Sequence, residues 1–207
     1  MKPIKNYDQI KTDSTRRLPI DAYVCKILGV EQKTGEFGNY IEVSMDIAEG
    51  DYTDYFAEEW KNNDREDKWW KCTYNLSEVK DDGTKEDAGR AKKLKTFTTA
   101  LEESNPNYRW DWDENKWKGL KIGMIFRDQL SWKQEAKGEE DPYWHNIVPA
   151  QATTIECVKT GDFKIQEPKK PKKERPAGNT AGMTTASGIN GFVDVAADSA
   201  FDELPFK

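Results

Sequence analysis

Two strand-like runs meet across a turn between Leu18 and Phe56. Ile41, Val43, Met45 and Ile47 alternate with Tyr40, Glu42, Ser44 and Asp46, and this period of two predicts a strand with its first set buried and its second in water. Upstream, Ile20, Ala22, Val24, Leu28 and Val30 fall on one face, while Tyr23, Cys25 and Ile27 make the other face apolar enough to be covered too. The segment Lys33 to Asn39 carries Gly35, Gly38 and Asn39, residues that accept positive φ and reverse a chain. The alternation breaks at Glu49-Gly50-Asp51 and resumes at Tyr52, Tyr55 and Phe56, where a third strand is expected.

The pattern changes period after Asp81-Asp82-Gly83. Thr84 with Asp87 three residues on resembles a capping box with Asp in place of Glu, and Glu86 and Asp87 suit the positive end of a helix dipole. Ala91, Leu94, Phe97 and Leu101 recur every three or four residues, one apolar stripe of a helix that Asn105-Pro106 stops. Strands return with Ile122, Met124, Phe126, Leu130 and Trp132 alternating against Gly123, Ile125, Arg127, Gln129 and Ser131. Lys133 to Asp141 turns the chain, Tyr143 to Val148 comes back, and a last strand is expected near Thr154 to Val158. Three strands, a helix, then two or three strands is the order of a mainly β, five-stranded OB-fold-like barrel with one helix between strands 3 and 4.

Composition divides the 207 residues unevenly. All eight Trp lie between Trp60 and Trp144, and the sequence after Phe163 has almost nothing to bury. The reading is a lead-in over residues 1–17, one globular domain over 18–163, a Pro/Lys- and Gly/Ala/Thr-rich linker over 164–197, and an acidic tip over 198–207. Residues 1–163 hold 25 Lys and Arg against 32 Asp and Glu, a formal charge of −7. A basic field over the whole molecule is thereby excluded, so any nucleic-acid site must be a local groove. Cys25, Cys72 and Cys157 are odd in number and widely spaced, which suggests reduced thiols in a cytoplasm rather than a disulfide framework or a zinc site. No apolar run reaches the roughly 18 residues of a membrane span.

The surplus aromatics carry the functional reading. Barrels of this kind stack unpaired bases on rings of strands 2 and 3 and of the loops between strands 1 and 2 and between 4 and 5. Those places hold Phe37, Tyr40, Tyr55, Trp69, Trp70, Trp132, Tyr143 and Trp144, with Lys71, Arg127 and Lys133 as phosphate partners. Neighbouring residues of an extended segment point to opposite sides, so at least one of Trp69 and Trp70 is expected on a binding face or in solvent; the alternative is a packed loop holding both. Lys92, Lys93 and Lys95 read first as a solvated helix face. Asp111 and Asp113 raise a metal-dependent nuclease as a rival, without a third ligand to complete it, and neither a metal nor a cofactor is expected. Nothing in the sequence pairs His145. A further rival is a protein-docking module, suggested by the acidic domain.

The chain closes on Asp202-Glu203-Leu204-Pro205-Phe206-Lys207. Acids that steer toward a basic rim, followed by an apolar anchor, form a peptide ligand. This end resembles the acidic tip of bacterial single-stranded DNA-binding proteins, with Asp202, Glu203, Leu204, Pro205 and Phe206 matching; in that family Phe is the last residue, whereas Lys207 follows it here. The body, in Tyr23-Val24-Cys25-Lys26-Ile27, Asp46-Ile47-Ala48-Glu49-Gly50 and Glu103 to Trp110, is similar to small proteins of Gram-positive phage replication and recombination modules. The resemblance implies a non-enzymatic protein that binds single-stranded DNA and recruits replication or recombination enzymes through its tip, in the cytoplasm of a host cell.

Overall fold

The long alternating runs build a five-stranded antiparallel sheet. The computed structural model describes residues 17–36, 38–133 and 141–171. Strand β1 (Ala22–Gly35) pairs with β2 (Gly38–Ile47) from Cys25 opposite Ile47 to Gly35 opposite Gly38, with an irregularity between Ile27 and Gly29. The first residues of β1, Ala22 to Lys26, also pair with β4 (Lys121–Trp132). On the outer sides, β2 carries β3 (Thr73–Ser77) and β4 carries β5 (Tyr143–Thr153), giving the order β3-β2-β1-β4-β5. The sheet is open, with β3 and β5 as its edges. They approach each other all the same: the Tyr74 hydroxyl of β3 meets the Ala152 backbone of β5, and burial pushes that phenol up to about 12.

Helix α2 (Lys85–Ser104) lies between β3 and β4 in sequence and fills the core with Phe97, Ala100 and Leu101. Its start is built as the capping pattern predicts. Thr84 accepts the Asp87 N–H at 3.2 Å, and the buried Asp87 carboxylate accepts the N–H groups of Lys80 and Asp81 at 2.8 and 2.7 Å. Rings then run inward from β3, Tyr74 stacking on Phe97 (5.7 Å between centroids) and Phe97 meeting the fully buried Trp117 (5.0 Å). At the other end, Asn105 Nδ2 donates to Leu101 O and Lys121 O at 2.8 and 2.7 Å, tying the helix to β4.

Two expected strands are helices instead. Tyr55 to Asn62 form α1, because the buried Asp46 carboxylate accepts the N–H groups of Phe56 and Ala57 at 3.0 and 2.8 Å and so caps a helical turn. Tyr52, Tyr55 and Phe56 fit this spacing as well as an alternating one. Asp46 and its neighbour Ser44, both expected in water, are buried. Burial raises the Asp46 carboxyl against three backbone N–H groups that favour its charged form. Near the C-terminal end, Ile155 to Thr160 form α3, opened by Thr154 accepting the Cys157 N–H at 3.1 Å and closed by Gly161 at φ 75°. Gly123 makes room for it: a Cβ there would stand 2.5 Å from Thr154 O and 2.8 Å from Val158 Cγ2.

Beyond α3 the polar chain does not leave the sheet at Phe163. Lys169 donates its N–H to Asp128 O and accepts the Leu130 N–H, both at 2.9 Å, as a parallel bridge on β4. Gln166 accepts from Arg127 at 2.9 Å and donates to Gln151 Oε1 at 2.8 Å. Cys25 and Cys72 are buried free thiols, and Cys157 is half-buried and also free. Among the described residues no helix is long and apolar enough to cross a membrane.

Candidate nucleic-acid interface

Helix α1 and the segment after it face the β4–β5 hairpin across a groove of about 930 Å³. The tryptophan pair at its edge divides as an extended segment requires. Trp70 turns into the core, where its Nε1–H donates to Met45 O at 2.9 Å beside the Trp60 ring, and Trp69 is left 64% exposed along the groove. Trp70 therefore offers no free face for stacking. From the opposite side Trp144 of β5 enters the same groove, 61% exposed, with the Lys133 ammonium 5.1 Å above its ring centre, within cation–π range. Tyr52 and Tyr55 form part of the floor, half-buried and in edge contact at 6.1 Å.

The charges around these rings are partly spent. Lys71 is ion-paired with Glu59, and Arg65 grips Asp67 through two bonds of 2.9 and 2.8 Å. Lys68 lies over the Trp60 ring at 4.9 Å. Glu58, Glu59 and Asp51 share the groove with these cations, so its potential is mixed. Arg65 and Lys68 lie in the charged run Lys61 to Lys68, and their nearness to the hairpin depends on a fold-back of α1 that alternation alone does not reveal.

The remaining expected residues lie elsewhere. Trp132 and Tyr143 pair at the described end of the β4–β5 hairpin, stacked on each other at 4.5 Å and half-buried. Tyr40 is half-buried in the β1–β2 hairpin, where its ring edge passes close over Gly35, leaving only 3.2 Å to a Cβ at that position. Arg127 is half-buried on β4, engaged with Gln166, and does not line the groove. Phe37 and the tip residues Asp202, Glu203, Leu204, Pro205 and Phe206 lie outside the described residues.

His145, unpaired in the sequence reading, is clamped between two carboxylates at the groove rim. Its Nδ1 meets Asp128 Oδ2 and its Nε2 meets Asp141 Oδ2 at 2.6 Å. The Asp141 bond and then the Asp128 bond raise the imidazole above its ordinary range, and His145 in turn holds Asp141 below the usual carboxylate range. The spacing of Asp141 and His145 was visible; the approach of Asp128 follows only from the register that sets Leu130 opposite His145.

Trp112 is a further exposed ring, 79% open, at φ 69° and leaning on Trp110 at 5.7 Å. Asp111 beside it pairs with Lys116, and Asp113 accepts the Asn115 N–H at 3.2 Å. Among the described residues no three His, Cys, Asp or Glu side chains gather to hold a metal ion. No protein-family model matches the chain, and no curated protein matches it. The groove offers two exposed indoles among its walls, with the Lys68 and Lys71 ammonium groups lining it as well.

Proposed function

We propose that the protein binds single-stranded DNA with little sequence preference, holding unpaired bases against Trp69 and Trp144. The observation that carries this reading is that the two indoles, 75 residues apart in the chain, both stand exposed along one groove, Trp69 on the segment after α1 and Trp144 on β5. Every base has a π-face, so stacking tolerates any sequence, and each stacked base contributes roughly 1–3 kcal/mol. The strand order, with α2 between β3 and β4, supports a partly open OB-type barrel whose seam lies between β3 and β5. The groove between α1 and the β4–β5 hairpin then sits beside the loop that such barrels use for single strands. With the acidic tip, this is the organisation of a phage-type single-stranded DNA-binding protein that recruits partner enzymes.

Titrating oligo-dT against intrinsic tryptophan fluorescence at low salt tests the reading. Quenching that saturates is expected, and unchanged emission rejects it. Removing residues 198–207 leaves DNA binding intact or tighter and ends the recovery of replication or recombination enzymes; unchanged recovery removes the role of the tip. One observation favours a protein ligand instead: Arg65 and Lys71 are already neutralised by Asp67 and Glu59. Native mass measurement with and without oligo-dT separates the two readings.

A further inference from the structure

Three cations gather near Tyr74 of β3: Lys93 of α2, Arg127 of β4 and Lys169 of the segment after α3, with the buried Asp128 carboxylate next to Arg127 in the chain and engaged by His145. Lys93 reaches from α2 to the Asn75 carbonyl at 2.5 Å, its ammonium 4.2 Å from the centre of the Tyr74 ring. Burial, together with the charges of Lys169 and Arg127, holds that ammonium below its ordinary value. Arg127 engages Gln166 through Nη1 and leaves its Nε buried with no hydrogen-bond partner. Lys169 is fixed beside it by backbone alone, through Asp128 O and Leu130 N–H. None of the three forms an ion pair among the described residues.

Like charges brought together and partly desolvated are costly unless an anion completes them, and an unmatched buried N–H adds to that cost. The donors come from three directions, off α2, off β4 and off the segment after α3. That arrangement suits a tetrahedral oxyanion, whose oxygens point several ways, better than a planar carboxylate, which a single guanidinium satisfies edge-on. We propose that Lys93, Arg127 and Lys169 form a phosphate-binding site beside Tyr74 and β4, separate from the Trp69–Trp144 groove. Its ligand is a phosphate group, either the free ion or a phosphodiester of a bound strand. The site stands whether or not the groove takes DNA.

The test is the melting temperature of the full chain in phosphate and in chloride at matched ionic strength. Phosphate raises it by a few degrees in the native chain, and Lys93→Gln and Lys169→Gln remove the rise. Lys169→Gln guards the test, since its side chain is exposed and its docking uses backbone. Adding saturating oligo-dT identifies the source: a strand that abolishes the phosphate increment supplies the phosphodiester itself, and an increment that persists marks a site for the free ion. Equal melting in the two salts, or a rise that survives in both variants, overturns the proposal. So does a rise seen only after residues 198–207 are removed, which would assign the site to the chain's own carboxylates.

Discussion

Trp70 Nε1–H donates to Met45 O at 2.9 Å, inside the core, and this bond decides which of two adjacent indoles faces solvent. The two positions are therefore expected to separate stability from binding. Trp70→Ala removes a buried ring and leaves the Met45 carbonyl unmatched, a loss of about 3–5 kcal/mol in urea unfolding. Trp69→Ala changes stability by about 0.5 kcal/mol or less, as surface substitutions do, and weakens oligo-dT binding by about 5- to 150-fold, the equivalent of one stacked base. Equal effects of the two substitutions on binding would remove the distinction.

The His145 clamp gives a pH dependence of definite sign. Its folded pKa is raised, so the stabilisation is fully present below the unfolded value of about 6.5 and is lost as pH rises through the folded value. Asp141 acts in the opposite sense, its depressed carboxyl contributing above the unfolded carboxylate range and losing the contribution as pH falls through its folded value. Between those limits Asp128, His145 and Asp141 hold the loop end of the β4–β5 hairpin together, with Lys133 nearby as the other charge acting on Asp141. Melting followed from pH 5 to 9 should decline on the alkaline side in the native chain and flatten in His145→Gln. A native profile already flat over that range contradicts the clamp.

Gly123→Ala tests the packing of α3. The added methyl meets backbone oxygen on two sides and a Val158 methyl, none of which is the far end of a flexible side chain. A loss of about 1–3 kcal/mol is expected from this overpacking, measured by chemical denaturation. A neutral result would mean that α3 is not seated on β4 as described.

Much of the sheet was legible because its strands are long: Ile41 to Ile47 and Ile122 to Trp132 lie within β2 and β4, although parts of both strands are buried on both faces. Thr84 and Asn105 marked the ends of α2 for a local reason, since capping is written within one helical turn. The misread segments share one cause. Tyr52 to Phe56 and Thr154 to Val158 are short, and their helices are stabilised by distant partners, the Asp46 carboxylate for α1 and the space over Gly123 for α3. The candidate groove was half legible. Adjacent Trp69 and Trp70 pointed to one exposed ring or a packed loop holding both; which outcome held, and which ring, depended on Met45, and the meeting with Trp144 depended on how α1 folds back over the hairpin. Arg127 stands away from the groove for a similar reason, because Gln166 holds it and lies beyond the point where the domain was expected to end.

The most direct test of the groove uses fluorescence anisotropy of a labelled oligo-dT, whose signal does not depend on the indoles being removed. Affinity is compared between the native chain and a double variant, Trp69→Ala with Trp144→Ala. Loss of two stacked bases predicts a fall of at least about 30-fold, corresponding to about 2 kcal/mol or more. An affinity within twofold of the native chain, in a double variant that melts at the native temperature, contradicts the claim that these two rings hold the strand.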